Sequence, residues 1–296
     1  MNNLNNPMIF SLGECEKYTT IKDKVTFIIA SCQAPMNFLM WSVFSLLLRS
    51  KVNGVMEHFI ITLNGPDNRT GDDELQNKKQ SFLEELRSKK WKNKISTTEK
   101  DMPVTVMRVW SRIGHAQAID MAIPWVHTIG YVITHDDIIL LNNKWETHIK
   151  TSILENENIA LASVDPLLAC GLFNVPFNDK LKLNLPHLNS VFIGCRKDHT
   201  IETGVRWSGY HLNQNFNNGI EYDYLSADFG AWMYQKLKES NKSMQTIPND
   251  FISHFGSMSW TKNEQKIKNS QLIIEKLESE ICEIKEYKEI YEKYHT

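Results

Sequence analysis

Cysteine is scarce and unpatterned in this chain. Its five cysteines among 296 residues, Cys15, Cys32, Cys170, Cys195 and Cys282, are odd in number and contain no C-x-x-C pair. A disulfide framework is therefore not expected, and reduced thiols in a cytoplasmic setting fit the count better. An excess of charge of one sign is missing too. With 33 Lys and Arg against 35 Asp and Glu, the formal charge is −2, so nothing creates the long-range field that gathers nucleic acid, and no such partner is expected. The opening MNNLNNPMIF has neither a basic start nor a long apolar stretch, so a signal peptide is not expected. No internal repeat or low-complexity tract is visible. Val25 to Leu48 carries no charge, but Gln33, Pro35 and Asn37 interrupt it, and it reads as buried strand, turn and buried helix rather than a membrane span.

What is present suits a folded α/β protein. A hydrophobic content of 42% supplies a substantial core for one large unit or two small ones. Lys24 to Ser31 reads as a first parallel strand and Phe38 to Leu48 as the helix after it; the loop between them stands at a strand's carboxyl end, where open α/β sheets bind ligands. His58 to Leu63 is a second strand, ending in the turn Asn64-Gly65-Pro66-Asp67-Asn68-Arg69-Thr70. The charge run of the helix from Asp72 to Lys90 reads as a solvated face. Val104 to Val109 is a third strand, and Arg112 beyond it is within reach of a phosphate or simply solvated.

The chain's centre of gravity is Ser111 to Leu140. Ala116, Ile119, Ala122 and Ile123 fall on one helical face, and the β-prone run Tyr131 to Thr134 then ends abruptly in His135, Asp136 and Asp137. Two adjacent acids repel unless something offsets them, and a divalent cation does so, since Mg²⁺ and Mn²⁺ favour carboxylate oxygens and share their shell with phosphates. Further on come a helix from Trp145 to Glu155, a strand from Ile159 to Val164, an irregular stretch from Leu167 to Asn189, and a strand in Ser190 to Arg196 that carries Cys195 as a small buried residue. Trp207, Tyr210, His211 and Tyr222 supply aromatic faces that stack on sugar rings or fill a core. A helix opens near Asp228 and runs to about Glu239, and by local chemistry Asp228 or Ser226 caps it. From Thr261 the tail reads as one long amphipathic helix, with Ile267, Ile274, Leu277, Ile281, Ile284 and Tyr291 at alternating heptad positions; it pairs with a second copy, lies across the rest of the chain, or touches a membrane surface.

Taken in order, these motifs resemble the family 2 type of glycosyltransferases with the GT-A fold. Gly114, His115, Ala116, Ala118, Ile119, Asp120, Ala122 and Ile123 follow that family's central helix pattern, His135-Asp136-Asp137 falls on its D-x-D, and Ile247-Pro248 followed by His254-Phe255-Gly256-Ser257 matches its V-P then H-x-x-G. The resemblance implies a Rossmann-like, mostly parallel sheet flanked by helices, and the tail adds a C-terminal amphipathic helix. The expected division is a lead-in over 1–23, a GT-A domain over 24–260 with a nucleotide-sugar half (24–140) and an acceptor half (141–260), and a helical tail over 261–296. It implies metal-dependent, inverting transfer of a sugar from a nucleotide diphosphate sugar to a glycan, lipid-linked or protein acceptor. Mn²⁺ or Mg²⁺ is expected on Asp137, His135 and His254, and Asp228 falls on the general base. Ala30, Ser31, Gln33, Asn64, Asp67, Arg112, His115, His135 and Asp136 are the expected donor contacts. Departures from the pattern at Asn64, His135 and Ala227, where acids are usual, leave a second reading open: an inactive module that binds a nucleotide sugar or a glycan. A nucleotidyltransferase ranks last, because Cys32 to Asn37 lacks a Gly-rich basic loop. The tail leaves open a homodimer and a peripheral membrane contact of an otherwise cytoplasmic enzyme.

Overall fold

A computed structural model describes residues 20–31, 34–65, 73–109, 113–164, 188, 190–208, 230–255 and 264–295. In chain order the elements begin β1 (Ile21–Ser31), α1 (Met36–Leu48), β2 (Met56–Asn64), α2 (Asp73–Arg87), β3 (Lys90–Trp91), β4 (Lys100–Asp101) and β5 (Val104–Val109). They continue with α3 (His115–Ala122), β6 (Thr128–Thr134), β7 (Ile138–Leu140), α4 (Lys144–Ile149), β8 (Ile159–Ser163), β9 (Phe192–Arg196) and α5 (Lys197–Glu202). The last are α6 (Ala231–Glu239), β10 (Ser243–Thr246), β11 (Ile252–His254), α7 (Glu264–Cys282) and α8 (Lys285–Tyr294).

Seven strands form one sheet in the order β10-β8-β9-β6-β1-β2-β5, parallel except for β9, which runs against both β6 and β8. This is the mostly parallel α/β sheet flanked by helices that the sequence predicts. Both faces of β1 are covered, which is why Val25 to Ser31 is an uninterrupted buried run instead of an alternating one. On one face α1, α2, α4, α7 and α8 pack around Phe27, Phe44, Phe59, Phe82 and Trp145; on the other, α3 and α6 pack around Ile28, Ile60, Tyr131 and Trp207. Gly194 in β9 allows one close approach, since a Cβ there would stand 2.4 Å from the Ile149 side chain.

The connectivity reverses at β1. From β1 the chain winds outward through β2 to β5, then crosses back to lay β6 on the other side of β1. Open α/β sheets bind ligands outside the strands' carboxyl ends at such a switch point, which here falls beside Ser31 and Thr134.

The tail departs from one long helix. It breaks at Ile284, whose backbone is extended (φ −106°, ψ 109°), and α8 turns back to pack on α2 while α7 lies on α1. Leu277, Ile281, Tyr287, Ile290, Tyr291 and Tyr294 are buried in the same core as α1 and α2, with Phe44 5.4 Å from Tyr287 and Phe82 5.8 Å from Tyr294 between ring centroids. Of the three arrangements open to the tail, the described residues show it lying across the rest of the chain. No helix among the described residues is long and apolar enough to cross a membrane.

Candidate metal centre at the switch point

Immediately after β6 the chain turns through His135, Asp136 and Asp137 and returns as β7, which pairs antiparallel with β11. That pairing sets His254 opposite Ile138, and the Phe255 N–H donates to the Asp137 carbonyl at 2.8 Å. Two segments more than a hundred residues apart are thereby fixed side by side. His254 Nε2 lies 3.2 Å from Asp137 Oδ1 and His135 Nδ1 lies 3.6 Å from the same oxygen. One ligand atom from each of the three residues lies within 4.8 Å of the other two.

The three donors fit a divalent cation. Asp137 Oδ1 is closed off from solvent and has no hydrogen bond of good geometry among the described residues, an arrangement a cation would resolve. Two imidazole nitrogens and a carboxylate oxygen suit Mn²⁺ and its neighbours better than Mg²⁺, which prefers oxygen throughout. Burial would by itself raise the Asp137 carboxyl, but the facing imidazoles of His135 and His254 outweigh it and hold the group well below the usual carboxylate range.

The two adjacent acids have different surroundings. Asp136 turns inward: the Ser31 hydroxyl donates to its Oδ2 at 2.6 Å, and Lys79 Nζ, on α2, donates to Ser31 Oγ at 3.0 Å while lying 3.9 Å from Asp136 Oδ2. The Lys79 side chain is 0% exposed. Burial raises the Asp136 carboxyl, and Lys79 and Ser31 work against that rise. The repulsion expected between neighbouring carboxylates is thus relieved for Asp136 by a lysine, leaving Asp137 to the histidines. The sequence reading of α2 as a solvated charged face missed Lys79, although Gln76, Lys79, Phe82 and Leu83, and Leu86 recur three or four residues apart on the apolar side.

Serines brace the same turn. Ser42 Oγ on α1 donates to the His135 carbonyl at 3.3 Å, the Leu140 N–H donates to Ser45 Oγ at 3.0 Å, and His135 Nε2 meets Ser190 Oγ at 2.5 Å. The His115 ring stands edge-on to His135 at 5.1 Å between centroids, and burial followed by His135 lowers its pKa to about 3, so it is neutral.

The remaining expected contacts divide clearly. Ala30 lies in the apolar layer beneath α3. Asn64 forms a reciprocal clip, its Nδ2 donating to the Ile113 carbonyl at 2.7 Å and the Ile113 N–H donating to its Oδ1 at 3.0 Å. Its amide therefore ties the end of β2 to the lead into α3. Gln33, Asp67, Arg112 and Asp228 lie outside the described residues. Asp120 entered the sequence reading only as a position of the central helix motif; its carboxylate accepts the Trp207 N–H at 2.8 Å and the Ser208 N–H at 3.0 Å. Trp207 in turn donates through Nε1 to the Tyr131 hydroxyl at 3.0 Å. Its carbonyl accepts the N–H of Gly230, a left-handed residue (φ +66°) on which a Cβ would press the Trp207 ring.

No protein-family model matches the chain, and no curated protein matches it. Among solved structures, it is similar to the mannosyltransferase PcManGT from Pyrobaculum calidifontis in complex with GDP-Man and Mn²⁺, at 12% identity and a TM-score of 0.45 over 80% of this chain and 60% of that one. It is also similar to glucosyl-3-phosphoglycerate synthase from Mycobacterium tuberculosis in complex with phosphoglyceric acid, at 13% identity and a TM-score of 0.46, over 93% of this chain and 85% of that one. The inositol-1-phosphate CTP transferase from T. maritima is comparably similar, at 10% identity and a TM-score of 0.45 over 86% of this chain and 97% of that one. At such values function has to be read from the chain's own side chains.

Proposed function

We propose that this chain transfers a sugar from a nucleotide diphosphate sugar to an acceptor hydroxyl, as an inverting, metal-dependent glycosyltransferase of the GT-A type working in the cytoplasm. The observation that carries the reading is the convergence of His135, Asp137 and His254 at the carboxyl ends of β1 and β6, on the crevice of the switch point. The order of motifs along the chain supports it. Asp137, His135 and His254 would hold the cation, Mn²⁺ in preference to Mg²⁺, and it would supply positive charge against a departing diphosphate. Ser31, Asp136 and Lys79 keep the turn in the conformation that aims Asp137 at it. Asp228, by the motif it occupies, takes the proton from the acceptor hydroxyl on the opposite face of the sugar.

Incubation with a panel of nucleotide sugars and candidate acceptors in Mn²⁺, read as release of nucleoside diphosphate, tests this reading. Turnover with one donor, lost in Asp137→Asn and in Asp228→Asn, is the expected result, with donor binding retained in the latter. Donor binding without turnover across the panel would instead favour a binding module.

A further inference from the structure

His135 can serve the cation only through one nitrogen and in one tautomer. Its Nδ1 faces Asp137 Oδ1 at 3.6 Å and its Nε2 faces Ser190 Oγ at 2.5 Å, so the two ring nitrogens point to different partners. A neutral imidazole carries one proton, and a ring that offers its Nδ1 lone pair to a cation must carry that proton on Nε2. Ser190 Oγ is the atom placed to accept it.

We infer that Ser190 is a positioning residue that selects the Nε2–H tautomer of His135 and thereby aims the Nδ1 lone pair into the cluster with Asp137 and His254. The inference rests on the metal centre proposed above and adds a residue that touches neither cation nor substrate. Other neighbours hold the ring's place without choosing its tautomer. His115 meets it edge-on at 5.1 Å and His254 at 5.6 Å between centroids, while Ser42 binds only the His135 carbonyl. Ser190 stands in the segment leading into β9: its neighbour Val191 accepts the Thr134 hydroxyl at 2.7 Å, which pins that segment against the end of β6. The arrangement is that of an outer-shell partner orienting a ligating histidine.

Two measurements test it, neither requiring activity. Nitrogen-15 NMR of the histidine rings in the wild-type protein loaded with Zn²⁺, a diamagnetic stand-in for Mn²⁺, is expected to show His135 with its proton on Nε2; a proton on Nδ1 would overturn the inference. Titration of Mn²⁺ alone, followed by the electron paramagnetic resonance of the free ion, is expected to show Ser190→Ala weakened about 10- to 100-fold and Ser190→Thr, which keeps the hydroxyl, within about threefold of wild type. Unfolding temperatures of both variants establish that the fold is retained. A Ser190→Ala protein that binds Mn²⁺ as wild type does would overturn the positioning role while leaving the metal centre intact. Absence of Mn²⁺ binding by wild type would instead remove the metal centre itself.

Discussion

Lys79 is a fully buried ammonium, and such a group persists only when paired. With Asp136 Oδ2 at 3.9 Å and Ser31 Oγ at 3.0 Å, it converts two acids that sequence presents as equivalent into one held inside and one facing the crevice. Removing one member of a buried pair leaves the other charge uncompensated, so Lys79→Met is expected to lower the unfolding free energy by about 3–5 kcal/mol. Adding Asp136→Asn to that variant should return much of the loss, as chemical denaturation of the two single variants and the double one would show. Additive losses would mean that the pair is not coupled. Asp120 gives a prediction in pH. Burial raises its carboxyl to about 6, with the N–H groups of Ser208 and Trp207 and the charge of Arg206 working the other way. A carboxyl raised on folding binds its proton more tightly in the folded state. Its stabilising contribution is therefore complete below the unfolded value of about 4 and is lost as pH rises through about 6. Against Asp120→Asn, which cannot titrate, wild type should lose stability between those pH values and run parallel above them. A wild type that gains on the variant over that window would contradict the assignment.

At the level of elements, sequence periodicity located β1, β2, β5, β6, β8 and β9 because each is a short apolar run closed by turn residues, while the short or polar β3, β4 and β10 carry no such mark. Val104 to Val109 and the end of β6 at Thr134 fall where the pattern places them, and β1 and β2 are longer than expected only at their ends. The proposed metal ligands were legible for the same reason: His135 and Asp137 stand where an apolar strand stops, and His254 opens a recognisable motif. Lys79, Ser190 and Asp120 were not, because their roles depend on which face of the fold meets them. A lysine in a charged helix looks solvated until α2 is laid on the sheet, and a serine before a strand carries no mark of the imidazole 2.5 Å away. The tail illustrates the same limit. Its heptad spacing is real, but the break at Ile284 folds it back on α1 and α2, so the spacing records intramolecular packing. Tyr287 is fully buried against Phe44, and Tyr287→Ala is expected to cost about 3–5 kcal/mol in denaturant unfolding, far more than loss of the partly exposed Lys92–Glu286 pair. An equal, small effect from both would show that the tail contributes little.

For the molecule as a whole, one sheet reverses its winding at β1, and to that switch point the chain brings a turn, a distant strand and a braced histidine. Donor and cation are expected to bind there interdependently, since a diphosphate supplies the negative charge that a single carboxylate does not. The most direct measurement is thermal unfolding of the intact protein with Mn²⁺, with UDP or GDP, and with both together. The account predicts that the pair stabilises by more than the sum of the separate additions, approaching about 2.7 kcal/mol at a hundredfold excess over the dissociation constant, and that Asp137→Asn abolishes the gain. An unfolding temperature that Mn²⁺ and nucleoside diphosphates leave unchanged, or a gain that survives Asp137→Asn, would contradict it.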